Sequence, residues 1–309
     1  MTGGTWTEAE IASQPDAWRL AAACGAVPAV RAALLAPGEA VLAIGCGTSA
    51  HVALSYAVLR EQAGLGLTDY AVASELPGSA HRYDRVVAFS RSGTTTEIED
   101  ALKEMPSSSR RVVVTGVTDS PAAALADEVV DLSFADETSV VQTRFPTATL
   151  VVTRVATGEL DEGKVSRLLD QARESLAAPM PDLLTEIDHV VYLGTGWALG
   201  IAHEAALKVR ESARAWAESY PSADYRHGPL AVAGARSLVT LLGAVPPGLP
   251  ADIAVTGAHV RVGHRDPLAE LVFAQRLALA LARHRGLDPD TPQHLTRSVV
   301  LNNVGPAGP

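Results

Sequence analysis

Two stretches of this chain share one form. AVLAIGCGTSA, around Gly45, and HVVYLGTGWAL, around Gly194, each pass from an apolar, strand-like segment through Gly-x-Gly into a helix-like one. They lie 149 positions apart in a chain of 309 residues, close to half its length, as in a duplicated α/β domain. β-rich runs at 41–44, 85–89, 111–115, 129–132, 190–193 and 237–242 alternate with helical stretches at 50–62, 95–105, 200–217 and 267–285. That alternation predicts parallel sheets covered by helices. The first 35 residues read as one or two helices, broken at Gln14-Pro15. We expect a helical segment over 1–35, one α/β domain over 36–165 and a second over 166–309, divided in the polar TGELDEGK stretch. Only about 60 residues follow the strand at 237, so the second domain is expected to be short of one strand–helix unit.

Aromatic residues are only 5% of the chain against 47% hydrophobic in all, so the core must be built from Ala, Val and Leu. A formal net charge of −10 disfavours nucleic acid and anionic membrane surfaces as partners. It leaves room for a small anionic ligand, because a few backbone N–H groups can hold a phosphate whatever the global charge. Cys24 and Cys46 make no disulfide framework and have no metal-type spacing with any histidine, so two free thiols and no metal are expected. The acidic N-terminal stretch is unlike a signal peptide, and no run approaches ~18 apolar residues. The expectation is a soluble cytoplasmic protein.

Three places could carry chemistry. Gly45-Cys46-Gly47-Thr48-Ser49 follows a strand and opens a helix, where glycines allow a tight turn and amides and hydroxyls can face an anion. It lacks the Gly-Lys-Ser/Thr of a Walker loop and the full dinucleotide pattern, and a simple capped turn is the competing reading. The segment 90–97, Ser-Arg-Ser-Gly-Thr-Thr-Thr-Glu, places five hydroxyls at the next helix start. One or two would satisfy a cap, so an anion such as a phosphate monoester accounts better for five. Both turns would open at the carboxyl edge of neighbouring parallel strands. Third, Glu204, Lys208 and Glu211 share a helix face at i, i+4 and i+7, and His227 lies downstream in a Tyr-Arg-His-Gly-Pro turn. Read alone, that face could be a solvated salt-bridge stripe and the histidine merely exposed. Together, a carboxylate, an amine and a histidine suit proton transfer on a carbohydrate.

These motifs, in this order, resemble the sugar isomerase (SIS) family. So do 137–143 (Glu-Thr-Ser-Val-Val-Gln-Thr), 204–211, Glu218-Ser219-Tyr220, 226–230 and Glu10-Ile11-x-x-Gln14-Pro15, and the resemblance runs from about residue 8 to residue 301. The chain looks like the isomerase half of glucosamine-6-phosphate synthases and like stand-alone aminosugar-phosphate isomerases and deaminases. The resemblance implies an α/β fold of two tandem SIS-type parallel-sheet sandwiches with flanking helices. It implies that Thr48, Ser49, Ser90, Arg91, Ser92 and Thr95 hold a sugar phosphate and that Gln142 meets the sugar hydroxyls. Glu211 matches the carboxylate that moves a proton between C1 and C2, and Lys208 matches its neighbouring lysine. His227 matches a ring-opening histidine donated by the partner subunit of a homodimer. The stretch 295–300 looks like a tail that closes over the sugar, with Arg297 where the synthase has a lysine, a cation of different geometry.

There are other departures. No glutaminase segment or N-terminal cysteine nucleophile is present, so glutamine-dependent synthesis is not expected of this chain. Trp216 stands where the synthase has a histidine, which suggests an altered reacting end of the pocket. The expectation is thus a cofactor-free, metal-independent enzyme acting on a hexosamine 6-phosphate by ring opening and C2 proton abstraction, with an isomerase or deaminase outcome. Two alternatives stand beside it. One is a dehydratase or lyase that expels the 3-hydroxyl of an N-acetylhexosamine 6-phosphate from the same enolate. The other is a non-catalytic sugar-phosphate sensor, against which the short acidic N-terminus and the presence of both Glu211 and His227 argue.

Overall fold

The computed structural model describes residues 3–301. Three helices, α1 (Thr5–Ala12), α2 (Gln14–Gly25) and α3 (Pro28–Leu35), precede the first sheet. The chain then runs through β1 (Val41–Gly45), α4 (Thr48–Gln62), β2 (Thr68–Val72), β3 (Arg85–Phe89), α5 (Thr96–Glu104), β4 (Arg110–Thr115), α6 (Pro121–Ala124) and β5 (Glu128–Asp131). Helices α7 (Arg144–Ala156) and α8 (Glu162–Ala177) lead into β6 (His189–Gly194), α9 (Ala198–Ala213), β7 (Trp216–Pro221), β8 (Ser237–Leu242), α10 (Leu249–Val255), β9 (His259–Val262) and α11 (Pro267–His284). No single helix among the described residues is long and apolar enough to cross a membrane.

All strand pairings are parallel, in the orders β2-β1-β3-β4-β5 and β7-β6-β8-β9. The second sheet is one strand shorter than the first, as its compressed sequence requires. Strands β1, β3, β6 and β8 are buried along their whole length. Parallel strands covered on both faces read as near-continuous apolar runs; β1 is unbroken, and the polar residues of the other three are Arg85, His189, Ser237 and Thr240.

The principal core lies between the two sheets. It unites Trp18 of α2, Tyr56 of α4, Phe145 of α7, Ile201 of α9 and Leu271 of α11 with inward-facing residues of both sheets. A second cluster packs α5 and α6 on the outer face of the first sheet, and a third packs α10 on the outer face of the second. Arg154 of α7, 4% exposed, ties this layer together by pairing with Glu159 (2.9 Å) and with Asp266 (2.7 Å), the cap of α11.

The repeated glycines have one cause. A Cβ on Gly45 would stand 2.3 Å from the Ser49 backbone, and one on Gly194 would stand 2.3 Å from the Ala198 carbonyl. Each turn folds back so closely that only glycine fits, which delivers the next helix to the carboxyl edge of its strand. Gly200 matters for a different contact. Its Cβ would meet Ser55 Oγ at 2.2 Å and the His51 carbonyl at 2.4 Å, so its absence lets α9 lie directly against α4.

The structure corrects the expectation of a helix over 200–217. Helix α9 stops at Ala213, Arg214 takes a left-handed conformation (φ 51°), and Trp216 begins β7. The N-terminal segment holds three helices rather than one or two, with α2 starting at Gln14 and Pro15 in its first turn.

Candidate functional site

The two hydroxyl-rich turns come directly after β1 and β3, which are neighbours in the first sheet, so both open on one edge. In the second turn, Ser90 Oγ accepts from the Gly93 N–H (3.1 Å), and Ser92 Oγ accepts from the Thr94 N–H (3.3 Å) and lies 3.1 Å from Thr94 Oγ1. Both serines accept from backbone N–H groups of the loop, and the Ser90 hydroxyl hydrogen has no partner among the described residues. Thr95 caps α5 by position yet makes no capping hydrogen bond with its side chain. Ser49 Oγ likewise has no hydrogen bond among the described residues. Hydroxyls at a helix start that are not used for capping suit an anion, beside the positive end of the helix dipole. Burial and then the Glu97 charge push the neighbouring Cys46 thiol up to about 11, which favours the thiol over the nucleophilic thiolate.

Thr48 does something else. It begins α4, which packs against α9, and its hydroxyl donates to Glu204 Oε1 (3.1 Å) while accepting from Lys208 Nζ (3.0 Å). That hydroxyl is fully engaged inside the carboxylate–amine cluster, so only the backbone of Thr48 is left to face an anion. Lys208, 1% exposed in its side chain, also lies 3.1 Å from Glu204 Oε1 and 2.7 Å from Glu211 Oε2. The last contact is an ion pair by distance without the alignment of a directed hydrogen bond. Burial alone would discharge Lys208, but the two carboxylates outweigh it and hold the ammonium charged to higher pH than usual. Burial would likewise protonate Glu204. The Lys208 charge and the hydrogen bonds from His51 and Lys208 outweigh it and keep that carboxyl below its ordinary range. Glu211 is 20% exposed, so it is the member of the trio open to a ligand. The helix face bearing the trio is therefore no solvated stripe.

Gln142 stands in the turn before α7, and its Oε1 is buried with no hydrogen-bond partner, an acceptor waiting for a donor. Beside it, the buried Glu137 carboxylate accepts from the Thr143 N–H and hydroxyl (2.6 Å each), the Arg144 N–H (2.9 Å) and the Phe145 N–H (3.2 Å), capping α7.

The two arginines are committed to the walls of the site. Arg91, 2% exposed, donates to the carbonyls of Ser139 (2.6 Å) and Arg297 (2.9 Å). Arg297 grips both oxygens of Asp136 (2.6 and 2.7 Å) and the Glu137 carbonyl. The tail beyond it lies along the second turn: Thr94 Oγ1 donates to Ser298 Oγ (2.9 Å), the Thr96 N–H to the Val299 carbonyl (3.2 Å), and the Leu301 N–H to Thr96 Oγ1 (2.9 Å).

Two expected residues are not gathered in. His227 ends an exposed single turn, Asp224–His227, and makes no hydrogen bond among the described residues. Trp216 is 67% exposed at the amino end of β7, with its indole N–H on Glu218 (3.1 Å). Two other histidines, unmarked by any sequence motif, are gathered in instead. His51 Nδ1 lies 3.1 Å from Glu204 Oε2, and the His203 ring stands 5.6 Å from that of His51. Their only signal is spacing, His51 one turn after Thr48 and His203 next to Glu204, which means little until α4 and α9 are known to pair.

Comparison with known proteins bears on this arrangement. Residues 34–157 match the model of the SIS domain. The chain is 24% identical over 295 residues to glutamine–fructose-6-phosphate aminotransferase (isomerizing) of Sulfurisphaera tokodaii, covering 85% of this chain and 50% of that protein. It is 30% identical over 324 residues to the enzyme of the same name from Aeropyrum pernix, covering 87% and 52%. This chain thus spans about half the length of the curated relatives it matches. Among solved structures, glucosamine-6-phosphate deaminase of Thermotoga maritima superposes with a TM-score of 0.77 at 26% identity, over 94% of this chain and all of that one. The chain carries a SIS domain, and its two parallel sheets with flanking helices are a tandem SIS fold with a shorter second sheet.

Proposed function

We propose that this protein is an enzyme acting on a hexosamine 6-phosphate, opening the sugar ring and transferring the C2 proton through Glu211, with an isomerase or deaminase outcome. The observation that carries the reading is the fully buried Lys208 ammonium clamped between Glu204 and Glu211, joined through Thr48 to the start of the hydroxyl-lined edge. Burying such a charge cluster carries a desolvation cost that marks it as a candidate for function, and it lies where a phosphate held by Ser49, Ser90, Ser92 and Thr95 would anchor one end of a sugar. The likeness to a glucosamine-6-phosphate deaminase supports the same substrate class.

In the open-chain sugar the C2 proton is adjacent to the C1 carbonyl and therefore acidic. Glu211 takes it, Lys208 stabilises the negative charge that develops, and Glu211 returns the proton to C1. With a free amine at C2, the product is a C2 imine. Water adds to that carbon and ammonia departs, leaving the ketose phosphate. Arg91 and Arg297 brace the cradle and the tail, and Gln142 Oε1 accepts from a sugar hydroxyl. We also propose a homodimer in which the exposed His227 reaches the site of the second copy. The test is incubation with glucosamine 6-phosphate and its N-acetyl form, with mass analysis of the products. Released ammonia or an interconverted sugar supports the proposal, loss of one water marks a dehydratase, and a bound but unaltered sugar marks a sensor.

A further inference from the structure

We infer that His51 is a positioning residue, acting through Glu204 to hold the Lys208 ammonium in register with Glu211. What that register is used for rests on the function proposed above; the hydrogen-bond relay does not. Glu204 is 3% exposed in its side chain, so each of its oxygens needs a partner from the protein. Oε1 has two, Thr48 and Lys208, whereas Oε2 has His51 alone among the described residues. An ionised carboxylate only accepts, so Nδ1 of His51 carries the hydrogen. His51 is thus the group that fixes the rotation of a carboxylate on whose other oxygen the lysine sits.

The imidazole is itself held. His51 lies in the first turn of α4, where the absent Cβ of Gly200 lets its carbonyl approach α9. His203 packs at 5.6 Å and is anchored by Ser219 Oγ of β7 at 2.8 Å. Burial first, then the charges of His51 and Arg210, push His203 down to about 4, so it is neutral and adds no competing charge. The charged groups facing His51 from α9 are Glu204 and Lys208. With His51 replaced by an apolar side chain, Glu204 Oε2 has no protein partner, and the carboxylate must turn toward Lys208 or take up a proton. Either change shifts the balance of Lys208 between the two carboxylates: a Glu204 turned toward the ammonium draws it from Glu211, and a protonated Glu204 leaves it to Glu211 alone, so Glu211 is no longer held as in the wild type.

Two variants test this in the full chain. His51→Leu fills the space without a donor, and His51→Asn restores an N–H near the position of Nδ1. For solvent-deuterium exchange at C2 of glucosamine 6-phosphate, His51→Leu should lower kcat at least about tenfold with KM nearly unchanged, and His51→Asn should recover most of it. An unchanged kcat, a loss confined to KM, or equal loss in both variants overturns the role. A second readout needs no turnover. The Glu204 carboxyl, monitored by ¹³C NMR and assigned with Glu204→Gln, should titrate about one pH unit or more higher in His51→Leu than in wild type. Wild type that binds the sugar phosphate but exchanges nothing refutes the proposed function alone. An unmoved Glu204 titration refutes the role of His51 alone.

Discussion

Replacing Lys208 by Met removes the one cation from a cluster that holds two carboxylates, and the two carboxylates respond differently to its loss. Lys208 is 1% exposed and makes close contacts with Thr48 at 3.0 Å, Glu204 at 3.1 Å and Glu211 at 2.7 Å. Glu211, one-fifth exposed, can turn to solvent, but Glu204 cannot. Breaking a buried pair from one side costs about 3–5 kcal/mol, and the His51 hydrogen bond to Glu204 places the expected loss near the lower end, about 3 kcal/mol at pH 7. The pH dependence has a definite sign. In wild type the folded-state pKa of Glu204 is depressed, so its contribution is present above the unfolded value and is lost as pH falls through the folded one. Without Lys208, burial dominates and raises that pKa. Lys208→Met then loses stability as pH climbs above the ordinary carboxylate range, and its gap from wild type widens from about pH 4 to about pH 7. Urea unfolding monitored by circular dichroism across this pH range measures the gap, and Lys208→Met/Glu204→Gln should regain much of the loss. A gap that stays constant with pH, or a double variant no more stable than the single, would refute the account of Glu204.

Three further outcomes are expected. Glu211→Gln should lower C2 exchange by at least about 100-fold while calorimetry shows sugar-phosphate binding retained; exchange at the wild-type rate would move the base to another group. Replacing Ser90 and Ser92 together by Ala should weaken binding of the phosphorylated sugar by about 1.5–3 kcal/mol per lost hydrogen bond, and unchanged affinity would make the turn a mere cap. Mixing inactive Glu211→Gln and His227→Ala chains should restore part of the activity through hybrid sites, whereas a fully active monomer in light scattering rules out the shared site.

The central strands were plain in the sequence because burial on both faces leaves a largely apolar run, as in VLAIG of β1 and VVAF after Arg85 in β3. The strands that escape such reading, β2, β7 and β9, are all at sheet edges. TDYAV, WAESYP and HVRV are partly exposed, and their polar residues interrupt the apolar run more than those of the central strands do. Helix α9 is overextended in the sequence reading because Ala213, Ala215 and Ala217 continue a helical composition. Its end is set by Arg214 in a left-handed conformation, a position more often marked by glycine. The hydroxyl-rich turns and the helix face of Glu204, Lys208 and Glu211 could be read locally. The engagement of Thr48 with Glu204 could not, because its partner lies 156 positions away. The same holds for Arg91 and the Arg297 carbonyl, 206 positions apart.

The contact between Thr48 and Lys208 spans 160 positions and joins the first helix after β1 to the first helix after β6. Neither half of the chain can assemble this cluster by itself, however well its own sheet forms. Closing so long a loop is an entropic cost that only the docking of α4 on α9 recovers. The cluster of Thr48, Glu204 and Lys208 therefore forms only where α4 is docked on α9. It also depends on their docking: a perturbation that parts α4 from α9 separates Thr48 and His51 from Glu204 and Lys208.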